Sequence, residues 1–244
     1  MTAEAFRSSG FYAWLQRRYY GTLFALERAV LGTTLHEWAW RLRGITEPVR
    51  AAGHPHRAVL LEVIRRYAPF ESVLEVGCHT GANLVLLAGA FPRADLYGVD
   101  VNPRAIALGR LALERAGVTR ARLGVARADD LRHLTDRSVD LTITDATLMY
   151  VGPDKIRRAA AELVRVTRRA VICNEWHVAQ GAADEVSRWH DMHWLHDYRQ
   201  LFGSLPRVAG VAAEPLPAGL YGPGDWDRYG TVIITALKEG GPAA

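Results

Sequence analysis

The chain has 244 residues, 49% of them hydrophobic and 23% charged, with a formal net charge of +4. That balance suits one well-buried α/β domain with an appended cap and excludes disordered and fibrous chains. No run of about 18 apolar residues occurs, which excludes a membrane-spanning helix, and the two cysteines, Cys78 and Cys173, are too few for a disulfide framework or a cysteine zinc site.

The opening Met1-Thr2-Ala3-Glu4-Ala5-Phe6-Arg7 lacks the layout of a secretory leader, so a cytoplasmic protein with reduced thiols is expected. Residues 1–68 hold ten Arg against five Asp and Glu, while the rest sums to −1. This basic quarter either attracts an anionic substrate or surface or is the solvated face of helices. Phe11, Leu15, Tyr19, Leu23, Leu26 and Val30 recur at helical spacing. Gly32 offers a stop, and Thr34-Leu35-His36-Glu37 has the form of a capping box, opening a helix that ends near Gly44. Residues 1–55 therefore read as a helical cap. Its Trp14, Trp38 and Trp40 suit a lid over a site, a homodimer interface, or a lipid-facing surface. Pro55 suits the first turn of a third helix running to about Tyr67.

From Ser72 the pattern alternates. Val73–Val76 is an apolar strand, followed by a glycine turn and a helix over Ala82–Ala90. Leu96–Val99 is a second strand, and Asn102-Pro103 caps and starts a helix that Gly117 ends. Arg122–Ala126 is a weaker third strand and Val139–Thr144 a fourth; Pro153 starts a helix reaching about Val166. Ala170–Asn174 is a fifth strand, Asp191–Phe202 reads as helix, and Thr231–Leu237 is a last buried strand. Such alternation implies an α/β fold with a mostly parallel sheet covered on both faces.

The segment Glu75-Val76-Gly77-Cys78-His79-Thr80-Gly81-Ala82-Asn83 links the first strand to its helix, at the carboxyl end of the sheet where such folds bind ligands. A dinucleotide loop would need G-x-G-x-x-G; counted from Gly77, the second and third glycine positions hold His79 and Ala82. The phosphate-loop pattern fails as well, for want of a lysine. A nucleoside-like ligand without a phosphate chain is left. Asp100, at the end of the second strand, is placed to accept hydrogen bonds from ribose hydroxyls, and Glu75 puts a carboxylate near a cationic group.

With E-x-G-x-x-x-G at Glu75, Gly77 and Gly81, the strand-end acid Asp100, and Asp140–Asp145 followed by Leu148-Met149-Tyr150-Val151, the sequence resembles the class I S-adenosylmethionine-dependent methyltransferases. The resemblance covers roughly residues 56–237. It implies a Rossmann-like doubly wound sheet of seven strands, the last antiparallel, within a domain at 56–244, and S-adenosylmethionine as cofactor. Gly77, with Cys78 and Gly81 in the turn, and Asp145, with Asn83 nearby, would hold the methionine end. Asp100 would bind the ribose, and Val101 and Asn102 would lie along the adenine. The sequence departs from the family where an acid often reads the adenine amino group: Arg127 stands there. Asp129 or Asp130 would take over this contact, with the backbone of Ala128 or Asp129 at the ring nitrogen.

A sulfonium methyl donor leaves the protein to orient a nucleophile and exclude water, and a hydroxyl acceptor also needs a base. His177, just past the fifth strand, is the first candidate, against the alternative of a His that fastens a loop; Trp176 is a candidate wall. His190, His193 and His196 recur every three residues beside Trp194 and Tyr198, either walling an acceptor or packing. On a helix His190 and His196 would stand about 600° apart, so no metal is expected. Tyr150 is a candidate to face the methyl group, and Trp226 to line an outer pocket. Cys78 reads as a small filler. The acceptor expected is a small molecule offering oxygen or nitrogen. No extra basic domain and no motif for a flipped base amine follow the fourth strand, so nucleic acid is not expected. RNA or protein methylation, or a non-methylating protein that binds the same cofactor, are the alternatives.

Overall fold

The computed structural model describes residues 54–179, 187–190, 193–221 and 224–238, with Leu26, Glu37, Trp40 and Arg41. Two compact units divide the chain, 1–43 and 44–244, and the site lies in the second. The helices expected over 11–44, with the choice among lid, dimer interface and lipid surface, fall outside the described residues.

Seven strands form one sheet: β1 (Ser72–Val76), β2 (Asp95–Asp100), β3 (Ala121–Val125), β4 (Val139–Asp145), β5 (Thr167–Trp176), β8 (Val208–Pro215) and β9 (Gly230–Leu237). Between β5 and β8 in sequence, β6 (Ser187–His190) and β7 (His193–His196) form a separate two-stranded sheet, with His196 also bridged to His177. The sheet order is β3-β2-β1-β4-β5-β9-β8, and β9 runs antiparallel to both neighbours. The central strands are buried on both faces along most of their length, with polar Glu75, Asp140, Thr142 and Thr144 among the buried residues.

The helices are α1 (His56–Arg65), α2 (Ala82–Ala90), α3 (Pro103–Arg115), α4 (Ile156–Val166), α5 (Tyr198–Gly203) and α6 (Asp225–Tyr229), with a single 3-10 turn at Leu148–Tyr150. Alternate strand residues feed two cores. Val73, Leu141, Ile143 and Ile172 meet Leu60 and Ile64 of α1 and Leu84 and Leu87 of α2. Leu74, Val171, Cys173 and Ile233 meet Ile156 and Leu163 of α4 and Leu201 and Phe202 of α5. Each fully buried Leu, Ile or Phe contributes about 1.5–3 kcal/mol, so the two layers clamp the sheet and hold its carboxyl ends rigid. Asn102 accepts from the backbone N–H groups of Arg104 and Ala105, with Pro103 in the first turn, so α3 starts where its sequence requires.

Several expectations are corrected. The helix read over Asp191–Phe202 is instead the β6–β7 hairpin followed by α5: His190 pairs with His193 and Ser187 with His196. The every-third histidine spacing is spread over two short paired strands, so it marks no helical face. In addition, β8 was not anticipated, because Val208-Ala209-Gly210-Val211-Ala212-Ala213 is a half-exposed edge whose small side chains lack a strand's apolar signature. The helix expected to start at Pro153 begins at Ile156, and β5 extends to include Glu175 and Trp176.

Candidate active site

The turn after β1 is built on left-handed backbone: φ is +80° at Gly77 and at Gly81, and +48° at His79. A Cβ on Gly77 would stand 2.1 Å from Thr147 Oγ1, so only glycine lets the turn close against the loop after β4. The N–H groups of Gly77 and Cys78 both donate to Val99 O, at 2.7 and 3.0 Å. The carboxylate of Asp100 faces this turn. Its Oδ2 accepts from His79 N and its Oδ1 from Asn102 N, each at 2.8 Å. Each oxygen keeps a second lone pair, in an orientation set by the backbone.

Beneath the turn Glu75 is 2% exposed. Its Oε1 accepts from Asn83 Nδ2 at 2.7 Å, while its Oε2 is buried with no partner. Burial pushes this carboxyl up to about 8, against the pull of the Asn83 hydrogen bond. Asp145, at the end of β4, is crowded with donors. Asn174 Nδ2 reaches its Oδ1 at 2.8 Å; His56 Nε2 at 2.8 Å, Asn83 Nδ2 at 3.1 Å and Arg57 at 3.2 Å reach its Oδ2. Burial alone would raise the pKa of Asp145, but the hydrogen bond and charge of His56, the Asn83 amide and Arg57 outweigh it and hold the carboxyl below its usual range. Arg57 also hydrogen-bonds Asn83 Oδ1. His56 and Arg57 were read only as the start of a helix; their place over β4 depends on how α1 crosses the sheet, which no local pattern encodes.

A strip of rings runs from this cluster. Tyr221 stacks on His56 at 4.9 Å and on Trp226 at 4.2 Å. Trp226 meets Trp176 at 5.9 Å, Trp176 meets His193 at 4.6 Å, and His193 Nε2 lies 3.2 Å from the Tyr150 hydroxyl. Tyr150, Trp176, His193 and Trp226 are thus brought together, joined by Tyr221, which the sequence did not single out. Glu175 was also missed. Fully buried, it accepts from Thr144 Oγ1 and from the N–H groups of Thr147, Leu148 and Met149, and so fixes the 3-10 turn that carries Tyr150. Burial raises its carboxyl to about 7.

His177 is not part of this strip. Residues alternate along β5, so His177 follows Glu175 to the face opposite Trp176. Its Nδ1 lies 3.3 Å from both His196 O and Tyr198 N, the contacts of a His that fastens a loop. Tyr198 and Trp194 are buried too. Tyr198 is fully enclosed in the α4–α5 core, stacked on Phe202, and Trp194 alternates away from His193 along β7. His196 is a neutral staple: Nε2 donates to Leu148 O and Val151 O at 3.2 and 3.0 Å, which leaves Nδ1 to accept from Ser187 Oγ at 2.8 Å.

Beyond β3, Asp129 is bound by both nitrogens of the Arg127 fork, at 3.0 and 3.1 Å, and by Arg158. Asp130 is paired with Arg132 on the exposed side of the same loop, and Ala128 lies half-buried between. Asn102 uses its side-chain oxygen as the α3 cap and its backbone N–H to hold Asp100 Oδ1. Cys78 is a buried filler 2.8 Å from where a Cβ on Gly98 would sit. Among the described residues no group of three or more His, Cys, Asp or Glu could hold a metal ion, and no helix is long and apolar enough to cross a membrane.

Residues 73–170 match the family model of a methyltransferase domain. Over 101 residues the chain is 31% identical to the release factor glutamine methyltransferase of Geobacter sulfurreducens, covering 41% of this chain and 34% of that one. Over 172 residues it is 27% identical to the tRNA (guanine-N(7)-)-methyltransferase of Chloroflexus aggregans, covering 66% of this chain and 70% of that one. The chain thus spans about a third of the length of the first relative. A SAM-dependent methyltransferase from Aquifex aeolicus shares the fold, with a TM-score of 0.55 at 15% identity over 78% of this chain and 94% of that one. The residues present fit such a cofactor on two structural counts. The unpartnered buried Glu75 Oε2 awaits a cationic or donor group, and the Gly77 cradle has no space for a side chain.

Proposed function

We propose that this chain is a class I S-adenosylmethionine-dependent methyltransferase that moves a methyl group onto an oxygen or nitrogen of a small-molecule acceptor such as a sugar, natural product or other metabolite; the family-model match and the shared fold support this. One observation carries the reading. Asp100 is anchored through both oxygens by His79 N and Asn102 N beside a left-handed glycine turn, which orients its remaining lone pairs for a vicinal diol.

When bound, S-adenosylmethionine supplies a methyl group already activated on sulfonium sulfur. The chain's own residues bind and orient. Asp100 holds the ribose; the backbone at Gly77, Oδ1 of Asp145 and the Glu75–Asn83 pair hold the methionine end. The backbone of Val101 and Asn102 flanks the adenine, and the loop at Ala128, Asp129 and Asp130 reads its edge. Tyr150, His193, Trp176 and Trp226 form an apolar, water-excluding wall on which an acceptor is positioned, worth several powers of ten in rate when the geometry is near-attack.

The small-molecule reading is supported by this aromatic wall and by the charge of the site region. Arg127, Arg132 and Arg158 are committed to Asp129 and Asp130 and form no open basic track of the kind nucleic acid requires. The likeness to a tRNA methyltransferase over 66% of the chain favours a second reading, an RNA acceptor. We place the protein in the cytoplasm. The deciding experiment is S-adenosylhomocysteine release with a panel of phenols, sugars and amines in parallel with bulk tRNA. Release with tRNA alone overturns the small-molecule reading.

A further inference from the structure

We infer that His54, His56 and Asp145 form a proton relay that serves as the general base of the site, and that the acceptor therefore enters carrying a proton: an alcohol, a phenol or an ammonium group. The inference rests on the methyl-transfer reading above and deepens it.

The three groups lie in line. His56 Nε2 is 2.8 Å from Asp145 Oδ2, and His56 Nδ1 is 2.6 Å from His54 Nδ1. Pro55, between the two histidines, caps α1 with φ of −57° and fixes how they meet. Tyr221 packs over both rings, at 4.7 Å from His54 and 4.9 Å from His56.

The protons can be counted from these contacts. Asp145 is an acceptor, so His56 Nε2 carries hydrogen. Two imidazole nitrogens 2.6 Å apart hold one hydrogen between them, since two would collide and none would set lone pair against lone pair. With that hydrogen on His54 Nδ1, His54 Nε2 is left as a lone pair able to take a proton. When His54 Nε2 takes a proton, the shared hydrogen crosses to His56 Nδ1. The positive charge then rests on His56, against the buried carboxylate of Asp145, and not on the half-buried outer ring. In this second state His54 Nδ1 is an acceptor, and the His56 backbone N–H already lies 3.4 Å from it.

The groups around His54 keep its resting ring neutral. Burial, with the charges of His56 and Arg57, lowers its pKa, and only Asp145 opposes them. In the transfer the acceptor's X–H bond breaks and its proton goes to His54 Nε2. The freed pair on X bonds to the methyl carbon, and the methyl–sulfur bond breaks with its electrons left on sulfur. A nucleophile that is already a lone pair, such as guanine N7, has no use for such a relay.

Two measurements on the full chain test this. The first is a long-range proton–nitrogen correlation on protein labelled at the imidazole nitrogens, at pH 8. His54 is expected in the minority form with hydrogen on Nδ1, and His54 with hydrogen on Nε2 overturns the relay. The second is turnover with the alcohol, phenol and amine panel. His54→Gln is expected to lower it about 100-fold and to remove its acidic limb, with S-adenosylhomocysteine affinity unchanged by calorimetry. Wild-type turnover in that variant overturns the catalytic role. A wild-type protein silent with the whole panel removes the methyl-transfer reading and with it this use of the relay, while the tautomer pattern still decides whether the relay exists.

Discussion

One amide joins two buried carboxylates that belong to different strands. Asn83 Nδ2 stands 2.7 Å from Glu75 Oε1 and 3.1 Å from Asp145 Oδ2, while Glu75 Oε2 has no partner. The two carboxylates differ in charge. Asp145, held by His56 and Arg57, keeps its charge; Glu75, raised to about 8, holds its proton at neutral pH.

The raised Glu75 makes a signed prediction. Its native pKa lies above the unfolded value, so the native state binds the extra proton and stability falls as pH rises from about 4.5 through about 8. Glu75→Gln removes this slope. Unfolding free energy compared between pH 5 and pH 8.5 should drop less in the variant than in the wild type, by on the order of a few kcal/mol. The variant should at the same time lose affinity for S-adenosylmethionine more than for the neutral thioether product. Equal slopes would mean that Glu75 is ionised in the unliganded protein.

Asp100→Ala removes the pre-oriented acceptor at the end of β2. Two charge-assisted hydrogen bonds at about 1.5–3 kcal/mol each correspond to a loss of about 100-fold or more in S-adenosylhomocysteine affinity. The β1–β2 pairing is independent of this side chain, so the circular dichroism spectrum should not change. Near-normal affinity by calorimetry would remove the ribose assignment.

The glycine at 77 is required twice, by its left-handed backbone and by Thr147. Gly77→Ala should cost about 1–2 kcal/mol for the backbone and a further 1–3 for overpacking. Thr147→Gly in the same chain clears the three contacts at 2.1, 2.4 and 2.7 Å, so the double variant should recover the second contribution and keep the first. Chemical denaturation of the three variants separates the two. A double variant no more stable than Gly77→Ala would show that Thr147 yields without cost.

What could be read along the chain was whatever local chemistry encodes. The doubly buried β1, β4 and β5, the Asn102-Pro103 cap and the left-handed turn at Gly77 and Gly81 each carry their reason within a few residues. The β6–β7 hairpin was misread, because four-residue strands around a turn leave too little sequence to distinguish a two-residue period from a helical one. The β8 edge was missed because half-exposed small residues bury little apolar area. His56, Arg57 and Tyr221 reach Asp145 and Asn174 across sequence separations of up to 89 residues, and Glu175 reaches three amides almost 30 residues back. Such juxtapositions are set by packing of whole elements and have no local signature.

The two histidines nearest the end of β5 should respond oppositely to mutation. His177 Nδ1 lies within reach of the backbone at His196 and Tyr198, one of which it can bond at a time, and burial lowers its pKa, so it is neutral at pH 7 and its ring serves as a fastener. His177→Ala should cost about 1 kcal/mol of stability and leave turnover within a few-fold of wild type. His193 lies within the ring strip, 3.2 Å from the Tyr150 hydroxyl and 4.6 Å from the Trp176 ring. His193→Ala opens the wall where the acceptor is proposed to lie. It should raise KM or lower kcat by about tenfold, the effect of losing one or two contacts at 1.4 kcal/mol per factor of ten, with cofactor affinity and stability little changed. Denaturation curves and S-adenosylhomocysteine release on both variants decide between them. Turnover lost in His177→Ala and retained in His193→Ala would transfer the acceptor to the other face of β5.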